Sequence, residues 1–305
     1  MATDETVLVT GSSGMIGYPL ARALAARGTA VVGLDPAPLP ATIAGVTALQ
    51  GTVGNADDMQ ALIARHRIDS IVHAGGISGP MLSRDAPLVI TEANVASTMH
   101  LIEAARRAGI RRFVYASSAA AYGHTPPSPV PDDAPLRGNS LYGATKGAAD
   151  LIVKAYREQY GLDAVGLRYS YVYGPGRRTD CAIRSMISDA LAGRPTRLAS
   201  GAGQRRHYTY IDDAVDATVA ALDAGPGPQY AYNVAGPDFP SMEQIAELVW
   251  SAIRTADIEM GSEPPSDRRE RLDITAMARD FGFRPQWTVE QGVPAYIDWM
   301  RQSGT

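Results

Sequence analysis

Three glycines near the amino terminus, in the stretch Gly11-Ser12-Ser13-Gly14-Met15-Ile16-Gly17, constrain the fold more than any other part of the sequence. They follow the apolar run Val7–Val9 and precede a helical pattern of apolar residues. Glycines between a strand and a helix let the backbone approach a pyrophosphate, whose charge then lies at the helix N-terminus. The sequence therefore predicts a dinucleotide-binding site here rather than an ordinary turn between a strand and a helix.

A carboxylate follows the second predicted strand and indicates which dinucleotide is bound. Asp35 comes directly after Ala30–Leu34 and lies 18 residues beyond Gly17, where an acidic side chain would meet a ribose 2′-hydroxyl. The same carboxylate would repel a 2′-phosphate, and Pro36 and Ala37 offer no cation to hold one. The pattern therefore predicts NAD rather than NADP as the cofactor.

The first two-thirds of the chain alternate short β-branched runs with helical patterns, which is typical of a parallel sheet covered on both faces. Right-handed crossovers would wind these elements into one doubly wound α/β sheet. The predicted strands are Thr6–Thr10, Ala30–Leu34, Val46–Gln50, Ser70–His73, Arg112–Ser117 and Ala164–Tyr169. The predicted helices lie near Met15–Arg27, Asp57–His66, Ile90–Ala108 and Ser140–Tyr160.

The alternation breaks at Gly174-Pro175-Gly176, and shorter elements follow. We predict a cofactor domain over residues 1–173 and a smaller substrate-binding lid over 174–305, parts of which pack back on the first domain. Ser241 and Gln244 are spaced as a capping box. The predicted elements of the lid region are helices near Cys181–Ala192, Asp212–Asp223, Ser241–Ile253, Ile274–Phe281 and Val289–Arg301, and a strand near Tyr230–Val234.

Composition excludes several classes of function. The chain has 305 residues and a net charge of −4, so it has no basic footprint for nucleic acid. No apolar run approaches the roughly 18 residues of a membrane span, and no basic segment at the N-terminus suggests a signal peptide. Cys181 is the single cysteine and the five histidines lie far apart, so we expect no disulfide and no metal site. A cytoplasmic location is expected.

A segment rich in proline, Gly123–Pro135, allows two interpretations. It could be a linker between domains, because it holds five prolines. Strand and helix patterns of the same character continue on both sides of it, however. We therefore favour a surface loop that covers a site.

Four side chains that could move or bond a proton lie at the end of one predicted strand and on the next predicted helix. Tyr142 and Lys146 are four residues apart and share a helix face, and an ammonium close to a phenol lowers the phenol pKa. Ser117 and Ser118 end a strand about 25 residues earlier, where a hydroxyl can bond a substrate oxygen. Together with the glycine turn and Asp35, these residues predict general acid/base chemistry beside a dinucleotide.

At this point the sequence resembles the extended short-chain dehydrogenases/reductases, also called the NAD-dependent epimerase/dehydratase family, whose cofactor domain is a Rossmann fold. The resemblance covers nearly the whole chain. Its motifs are Thr10-Gly11-x-x-Gly14-x-x-Gly17, His73-Ala74-Gly75-Gly76, Asn94-Val95, Ser117-Ser118, Tyr122-Gly123, Tyr142-x-x-x-Lys146, Leu167-Arg168-Tyr169, Val172-Tyr173-Gly174-Pro175 and Arg206-His207-Tyr208-Thr209-Tyr210-Ile211-Asp212-Asp213.

The resemblance implies hydride transfer to NAD⁺ from a sugar alcohol, with Tyr142 as acid/base, Lys146 as its pKa partner and Ser118 holding the oxygen. The implied cofactor-binding residues are Gly11, Ser13, Gly14, Met15, Ile16, Gly17, Asp35, Thr52, Val53, Ala74, Gly75, Gly76, Asn94, Ala116, Ser117, Tyr142, Lys146, Tyr169 and Ser170. The implied substrate-binding residues are Ser118, Tyr142, Tyr171, Arg177, Arg206 and Arg269.

The chain departs from the family at three places. Ala119 and Ala120 stand where sugar dehydratases have an Asp-Glu pair, which disfavours water elimination. Tyr171 replaces an Asn that binds the diphosphate of a nucleotide sugar, although Arg177, Arg178, Arg206, Arg268 and Arg269 lie in or near segments that clamp phosphates. Thr52 replaces a carboxylate that contacts adenine.

Two enzyme classes and one non-enzymatic class remain open from the sequence. The preferred one is a nucleotide-sugar 4-epimerase-like enzyme, and the second is an NAD-dependent dehydrogenase of a free sugar, uronic acid or other small polyhydroxy substrate. The third is an NAD-sensing binding protein without turnover, which the retained Ser118, Tyr142 and Lys146 disfavour. The resemblance further implies a homodimer formed through a four-helix bundle of the helices near Ile90–Ala108 and Ser140–Tyr160.

Overall fold

The computed structural model describes residues 5–78, 86–125, 128–263 and 269–304, and a parallel sheet lies at its centre. The strands are β1 (Thr6–Thr10), β2 (Ala30–Asp35), β3 (Val46–Gln50), β4 (Ser70–His73), β5 (Arg112–Ser118), β6 (Ala164–Tyr169), β7 (Tyr171–Tyr173), β8 (Thr196–Leu198), β9 (Tyr208–Tyr210), β10 (Ala231–Val234) and β11 (Ile258–Met260). Seven of them form the central sheet, in the order β10-β6-β5-β4-β1-β2-β3. This is the predicted doubly wound arrangement, and β1 lies at the point where the winding reverses.

Helices cover both faces of the sheet. They are α1 (Gly17–Ala26), α2 (Ala56–His66), α3 (Pro87–Thr91), α4 (Ser97–Ala108), α5 (Leu141–Tyr160), α6 (Ala182–Leu191), α7 (Ile211–Asp223), α8 (Met242–Ala252), α9 (Thr275–Phe281) and α10 (Val289–Ser303). One face of the sheet packs with α1, α7 and the carboxyl-terminal helices, and the other packs with α2, α4 and α5. The capping box predicted at Ser241 and Gln244 is present at the start of α8.

The helix predicted as Ile90–Ala108 differs from the expectation. A π-helical turn at Glu92–Ala96 separates α3 from α4. The turn carries Asn94, whose buried side chain is bonded to the neighbouring segments that form the candidate site. Such wide turns are frequent at functional sites.

The four strands β7, β8, β9 and β11 were not predicted, because three residues are too few to show a period of two. They pair outside the main sheet, β7 with β9 and β8 with β11. The predicted strand at Tyr230–Val234 is β10, which lies beside β6 at the edge of the main sheet. The region after residue 174 therefore contributes a strand to the central sheet.

The described part of the proline-rich segment is packed against the carboxyl-terminal region. Val130 forms a bridge with Leu272, donating its N–H to Arg271 O at 2.8 Å and accepting from Asp273 N at 2.8 Å. This arrangement fits the interpretation of a covering loop and does not fit a free linker.

Among residues 5–78, 86–125, 128–263 and 269–304, no helix has both the length and the apolar character that crossing a bilayer requires. In the same ranges, no group of three His, Cys, Asp or Glu side chains is placed to hold a metal ion.

Candidate active site

The glycine turn connects β1 to α1 at the carboxyl edge of the sheet. Gly14 N donates to Gly11 O at 2.9 Å, which folds the turn tightly. A Cβ on Gly17 would lie 2.0 Å from Gly11 O, so a larger residue would push α1 away from the turn. Met15 and Ile16 lie half-buried against the core between these glycines. The turn therefore leaves the N-terminus of α1 close to the strand ends, as a pyrophosphate requires.

Asp35 ends β2 beside this turn. One carboxylate oxygen accepts from Ser13 N at 3.0 Å and the other from Ala37 N at 2.8 Å. The hydroxyl of Ser13 donates to Ala37 O at 2.9 Å, which joins the same two segments. The acidic side chain is thus held in place at the end of β2, and a 2′-phosphate there would meet its negative charge.

The segment after β4 forms a second wall of the site. Gly75 N donates to Thr10 Oγ1 at 3.1 Å, which ties this segment to β1. Asn94 accepts from Ile77 N at 2.8 Å and donates to Thr145 Oγ1 at 3.1 Å. These bonds bring the predicted residues Ala74, Gly75, Gly76 and Asn94 to one edge of the sheet. Thr52, which is exposed, and Val53, which packs on the core, follow β3.

Ser118, Tyr142 and Lys146 come together at the end of β5. Ser118 lies near enough to the Tyr142 hydroxyl for hydrogen bonding to act against the rise in the Tyr142 pKa. Ser118 Oγ also accepts from Ala120 N at 3.1 Å, whereas Ser117 Oγ is buried and has no hydrogen-bond partner among the described residues. Of the two serines, Ser118 is therefore the one that meets Tyr142.

Burial and nearby charges act on the pKa values of this group. Burial raises the pKa of Tyr142, and the Ser118 hydrogen bond and the charges of Arg269 and Arg177 oppose that shift. Lys146 Nζ donates to Ala116 O at 2.8 Å and lies 4.8 Å from the ring centroid of Tyr115. Burial lowers the pKa of Lys146 to about 8, against the effect of Asp150. The cations that oppose the shift of the Tyr142 pKa here are the two arginines, and the role of Lys146 as the pKa partner of Tyr142 stays a prediction.

Two features fix α5, which carries Tyr142 and Lys146. A Cβ on Gly143 would lie 2.4 Å from Ala120 O, so the first turn of α5 touches the 3₁₀ turn Ala119–Tyr122 after β5. One turn beyond Lys146, the fully buried Asp150 accepts from Arg168 Nε at 2.7 Å. The positioning roles of Gly143 and Asp150 were not predicted from the sequence. For Gly143, the sequence signal was its position directly after Tyr142.

Three of the predicted substrate residues meet around one ring. The guanidinium carbons of Arg206 and Arg269 lie 4.9 and 5.1 Å from the ring centroid of Tyr171. Arg177 instead holds its own loop, with Nη1 donating to Val172 O at 2.6 Å and Nε to Thr179 O at 3.1 Å. Arg268 lies outside the described residues.

A cavity of about 330 Å³ opens beside Arg206. It is lined by both polar and apolar groups, among them Cys181, Ala182, Leu198 and Met242. A volume of this order falls in the range of small-ligand sites. The cavity is therefore of a size that could hold a nucleoside beside Arg206.

Tyr169 and Ser170 lie where β6 ends. The Tyr169 side chain is buried and its hydroxyl is hydrogen-bonded to Thr218 Oγ1 at 2.6 Å, so a contact of Tyr169 with a cofactor would have to come from its main chain. Ser170 Oγ pairs with Thr209 Oγ1 at 2.7 Å. Ser170 thus joins the end of β6 to β9.

A sequence model of the NAD dependent epimerase/dehydratase family matches residues 7–235. The UDP-glucose 4-epimerase of Mycolicibacterium smegmatis is 31% identical over 96% of this chain and 98% of its own length. MoeE5, solved with UDP-glucuronic acid and NAD, superposes with a TM-score of 0.88 at 28% identity, over 98% of this chain and 99% of its own. The UDP-glucuronic acid 4-epimerase of Bacillus cereus, solved with UDP-glucuronic acid and NAD, gives 0.88 at 25% identity over the same shares. This chain belongs to the NAD dependent epimerase/dehydratase family.

The residues present fit NAD. The glycine turn leaves no side chain between the α1 N-terminus and a pyrophosphate, and Asp35 faces the same turn. Neither Pro36 nor Ala37 supplies a positive charge for a 2′-phosphate. The loop after β4 and the Ser118–Tyr142–Lys146 group continue the site along the carboxyl edge of the sheet.

Proposed function

We propose that this protein is a nucleotide-sugar 4-epimerase that uses NAD. The observation that carries the proposal is the position of Tyr142 beside Ser118 at the end of β5, where the charges of Arg269 and Arg177 also act on its pKa. A proton-transfer group thus lies between the cofactor turn and a cationic lid. Relatives with this fold include enzymes named as 4-epimerases of UDP-glucose and UDP-glucuronic acid.

In the proposed mechanism, NAD when bound supplies the hydride acceptor. Tyr142 takes the proton from the reacting hydroxyl of the sugar. It returns the proton to the same oxygen after the oxidised sugar has rotated in the site. Ser118 donates a hydrogen bond to the same oxygen as its charge changes. Arg177 and Arg269 favour the phenolate of Tyr142 against the effect of burial. Lys146 donates a hydrogen bond to Ala116 O, which holds its ammonium at the edge of the sheet where the cofactor would bind.

Dehydration is disfavoured by the residues that follow Ser118. Ala119 and Ala120 are both buried in the 3₁₀ turn and supply no acid for loss of water. The arginine pair and the adjoining cavity favour a substrate with a diphosphate and a nucleoside over a free sugar.

The test is a substrate panel with NAD⁺ in molar excess over each substrate, so that a net oxidation can run to completion and be followed as NADH. UDP-glucose, UDP-galactose, UDP-glucuronate and UDP-galacturonate are incubated with the protein and their products separated by chromatography, while NADH absorbance is followed. The proposal requires a 4-epimer without stoichiometric NADH. Free glucose, galactose and glucuronate form the second arm, in which stoichiometric NADH would establish the dehydrogenase instead.

We further propose a division into a cofactor domain, residues 1–173, and a lid, residues 174–305, with β10 returning to the main sheet.

A homodimer is supported by large apolar side chains exposed on neighbouring helices. Leu88 and Val89 on α3, Met99 on α4 and Leu151 on α5 are 75%, 51%, 44% and 54% exposed. Pairing these helices with a second copy would cover all four. We propose a cytoplasmic location, which suits a protein with one cysteine.

A further inference from the structure

Tyr171 differs from the asparagine that the family usually has at its position, and the structure suggests what a ring does there. The side chain is half-buried at the start of β7. Both the Arg206 and the Arg269 guanidinium lie over its ring, at 4.9 and 5.1 Å from the centroid. These distances fall within the range of cation–π contacts. One aromatic ring is therefore shared by two cations.

The two arginines come from separate segments, and each segment is fixed by its main chain. Tyr171 N donates to His207 O at 3.1 Å, and Arg206 N donates to Pro240 O at 3.0 Å. On the other side, Glu270 N donates to Thr125 Oγ1 at 2.8 Å, which secures the residue after Arg269. The ring of Tyr171 is the common surface on which the two side chains converge.

Two guanidinium groups on one ring repel each other, and an anion that contacts both removes that repulsion. A diphosphate suits such a pair because each guanidinium binds phosphate oxygens through a planar fork of donors. The ring offers an attractive face to the cations and has little competing hydrogen-bonding capacity. The ring can therefore orient both guanidinium groups toward the ligand before the ligand binds.

We infer that Tyr171 is a positioning residue that pre-orients Arg206 and Arg269, through its ring rather than its hydroxyl, to bind the diphosphate of the nucleotide sugar. The inference rests on the proposed function. An asparagine would bind the diphosphate directly with its amide, whereas the tyrosine acts through the arginines.

Three variants test the inference, with UDP as the probe and calorimetry as the measurement. Tyr171→Leu removes the ring, and Tyr171→Phe removes only the hydroxyl. Trp250→Leu is the matched control, because it removes an exposed ring that stacks on Arg254 at 4.4 Å elsewhere in the lid region. We expect Tyr171→Leu to weaken UDP binding about tenfold, and the other two to stay within about twofold of the unsubstituted protein.

Kinetics separate positioning from a general structural defect. Tyr171→Leu should raise KM for the nucleotide sugar by about the same tenfold factor and lower kcat by a smaller factor, because Tyr142 and Ser118 are kept and only the charge of Arg269 near Tyr142 is displaced. In an Arg206→Ala background, Tyr171→Leu should cause a much smaller further loss of UDP affinity, since part of what the ring positions is already gone. Unchanged affinity for NAD establishes that each variant is folded, and Tyr171→Met is a second variant without the ring that must show the same loss.

Two results would overturn the inference. UDP binding by Tyr171→Leu and Tyr171→Met equal to that of the unsubstituted protein would mean that the ring positions nothing. An equal loss in Tyr171→Phe would mean that the hydroxyl contacts the ligand directly. Failure of the unsubstituted protein to bind either UDP or dTDP would instead refute the proposed function, and the inference with it.

Discussion

Tyr142 is subject to opposing influences that decide whether it can act as a base. Burial raises its pKa, while a hydrogen bond from Ser118 and the positive charges of Arg269 and Arg177 act in the other direction. Both arginines belong to the segment after residue 174, which also carries the proposed substrate-binding residues. The proton-transfer group is therefore tuned from the substrate side of the site.

Gly143 lets the first turn of α5, which carries Tyr142, lie against the turn that follows Ser118. A Cβ there would lie 2.4 Å from Ala120 O, a backbone atom that cannot move aside cheaply. We predict that Gly143→Ala displaces the first turn of α5, costs about 1–3 kcal/mol of unfolding free energy and lowers kcat at least about tenfold. Urea denaturation and steady-state kinetics measure the two effects.

Gly147 is the matched control on the same helix. A Cβ there would meet its nearest neighbours at 3.8 Å, which is ordinary contact. Gly147→Ala should therefore keep activity and hold or raise stability by up to about 1 kcal/mol through the helix preference of alanine. Equal losses in the two variants would show that the Gly143 contact is not special.

At the residue scale, the sequence was sufficient to predict that Ser118, Tyr142 and Lys146 converge, because strand ends and helix spacing determine it. It could not predict that Lys146 would bond Ala116 O or that arginines would oppose the pKa shift of Tyr142. Those facts depend on distances between segments that are far apart in the chain.

A buried histidine links three segments of the lid region. Leu272 N donates to His207 Nδ1 at 3.0 Å, so the proton lies on Nε2, which donates to Gly236 O at 2.9 Å. The neutral imidazole of His207 therefore uses both ring nitrogens in hydrogen bonds. Burial lowers the pKa of His207 to about 4, with Gly236 opposing and Arg271 adding to the shift.

This histidine predicts a pH dependence of stability. The unfolded chain takes up the proton near pH 6.5, but the folded chain resists it down to about pH 4, so stability falls as the pH falls between these values. From pH 7 to pH 5 we expect His207 to account for a loss of about 2 kcal/mol.

The measurement is urea unfolding at pH 7 and pH 5 for the unsubstituted protein and for His207→Gln. The glutamine variant should lose about 2 kcal/mol less across the interval, whatever its stability at pH 7. The buried His73, whose pKa burial lowers to about 3, is retained in both proteins and cancels in the comparison. The same pH slope in both would refute the assignment.

At the element scale, long and strongly patterned segments were predictable and short ones were not. The strands of the central sheet follow from apolar runs between turns. The parallel pair β7 and β9, which places Tyr171 beside Tyr208, has three residues in each strand and no periodic signal. The part of the site that binds substrate depends on these short strands, which is why the sequence left its geometry open.

The proposed dimer makes a prediction for the whole molecule. Leu151 is 54% exposed on α5, and this helix packs against α3 and α4, which carry the other three exposed apolar side chains. A charge in the centre of a covered apolar surface is unfavourable, so Leu151→Glu should convert a dimer into a monomer. Analytical ultracentrifugation measures the change in mass.

Trp250→Glu provides the control, because Trp250 is 50% exposed on α8, outside the proposed interface. It should sediment with the same mass as the unsubstituted protein. A monomeric unsubstituted protein, or a Leu151→Glu variant that remains dimeric, would contradict the proposed interface.

For the whole molecule, the sequence predicted the doubly wound sheet and the cofactor edge because both depend on one strong local pattern repeated along the chain. It could only suggest which parts of the last 130 or so residues return to the sheet. The structure shows β10 beside β6 and the proline-rich loop bridged to Leu272. These contacts join segments about 60 to 140 residues apart, beyond the reach of local patterns.

The proposed role of Tyr142 in epimerisation is tested most directly by comparing Tyr142→Phe with the unsubstituted protein. The reactions are the interconversion of UDP-glucose and UDP-galactose and that of UDP-glucuronate and UDP-galacturonate. We predict 4-epimerisation of at least one pair by the unsubstituted protein. In Tyr142→Phe the rate should be about 10² to 10⁴ lower with NAD and UDP affinities unchanged, since only the proton-transfer group is lost. Full activity in Tyr142→Phe, or no epimerisation of either pair by the unsubstituted protein, would contradict the account.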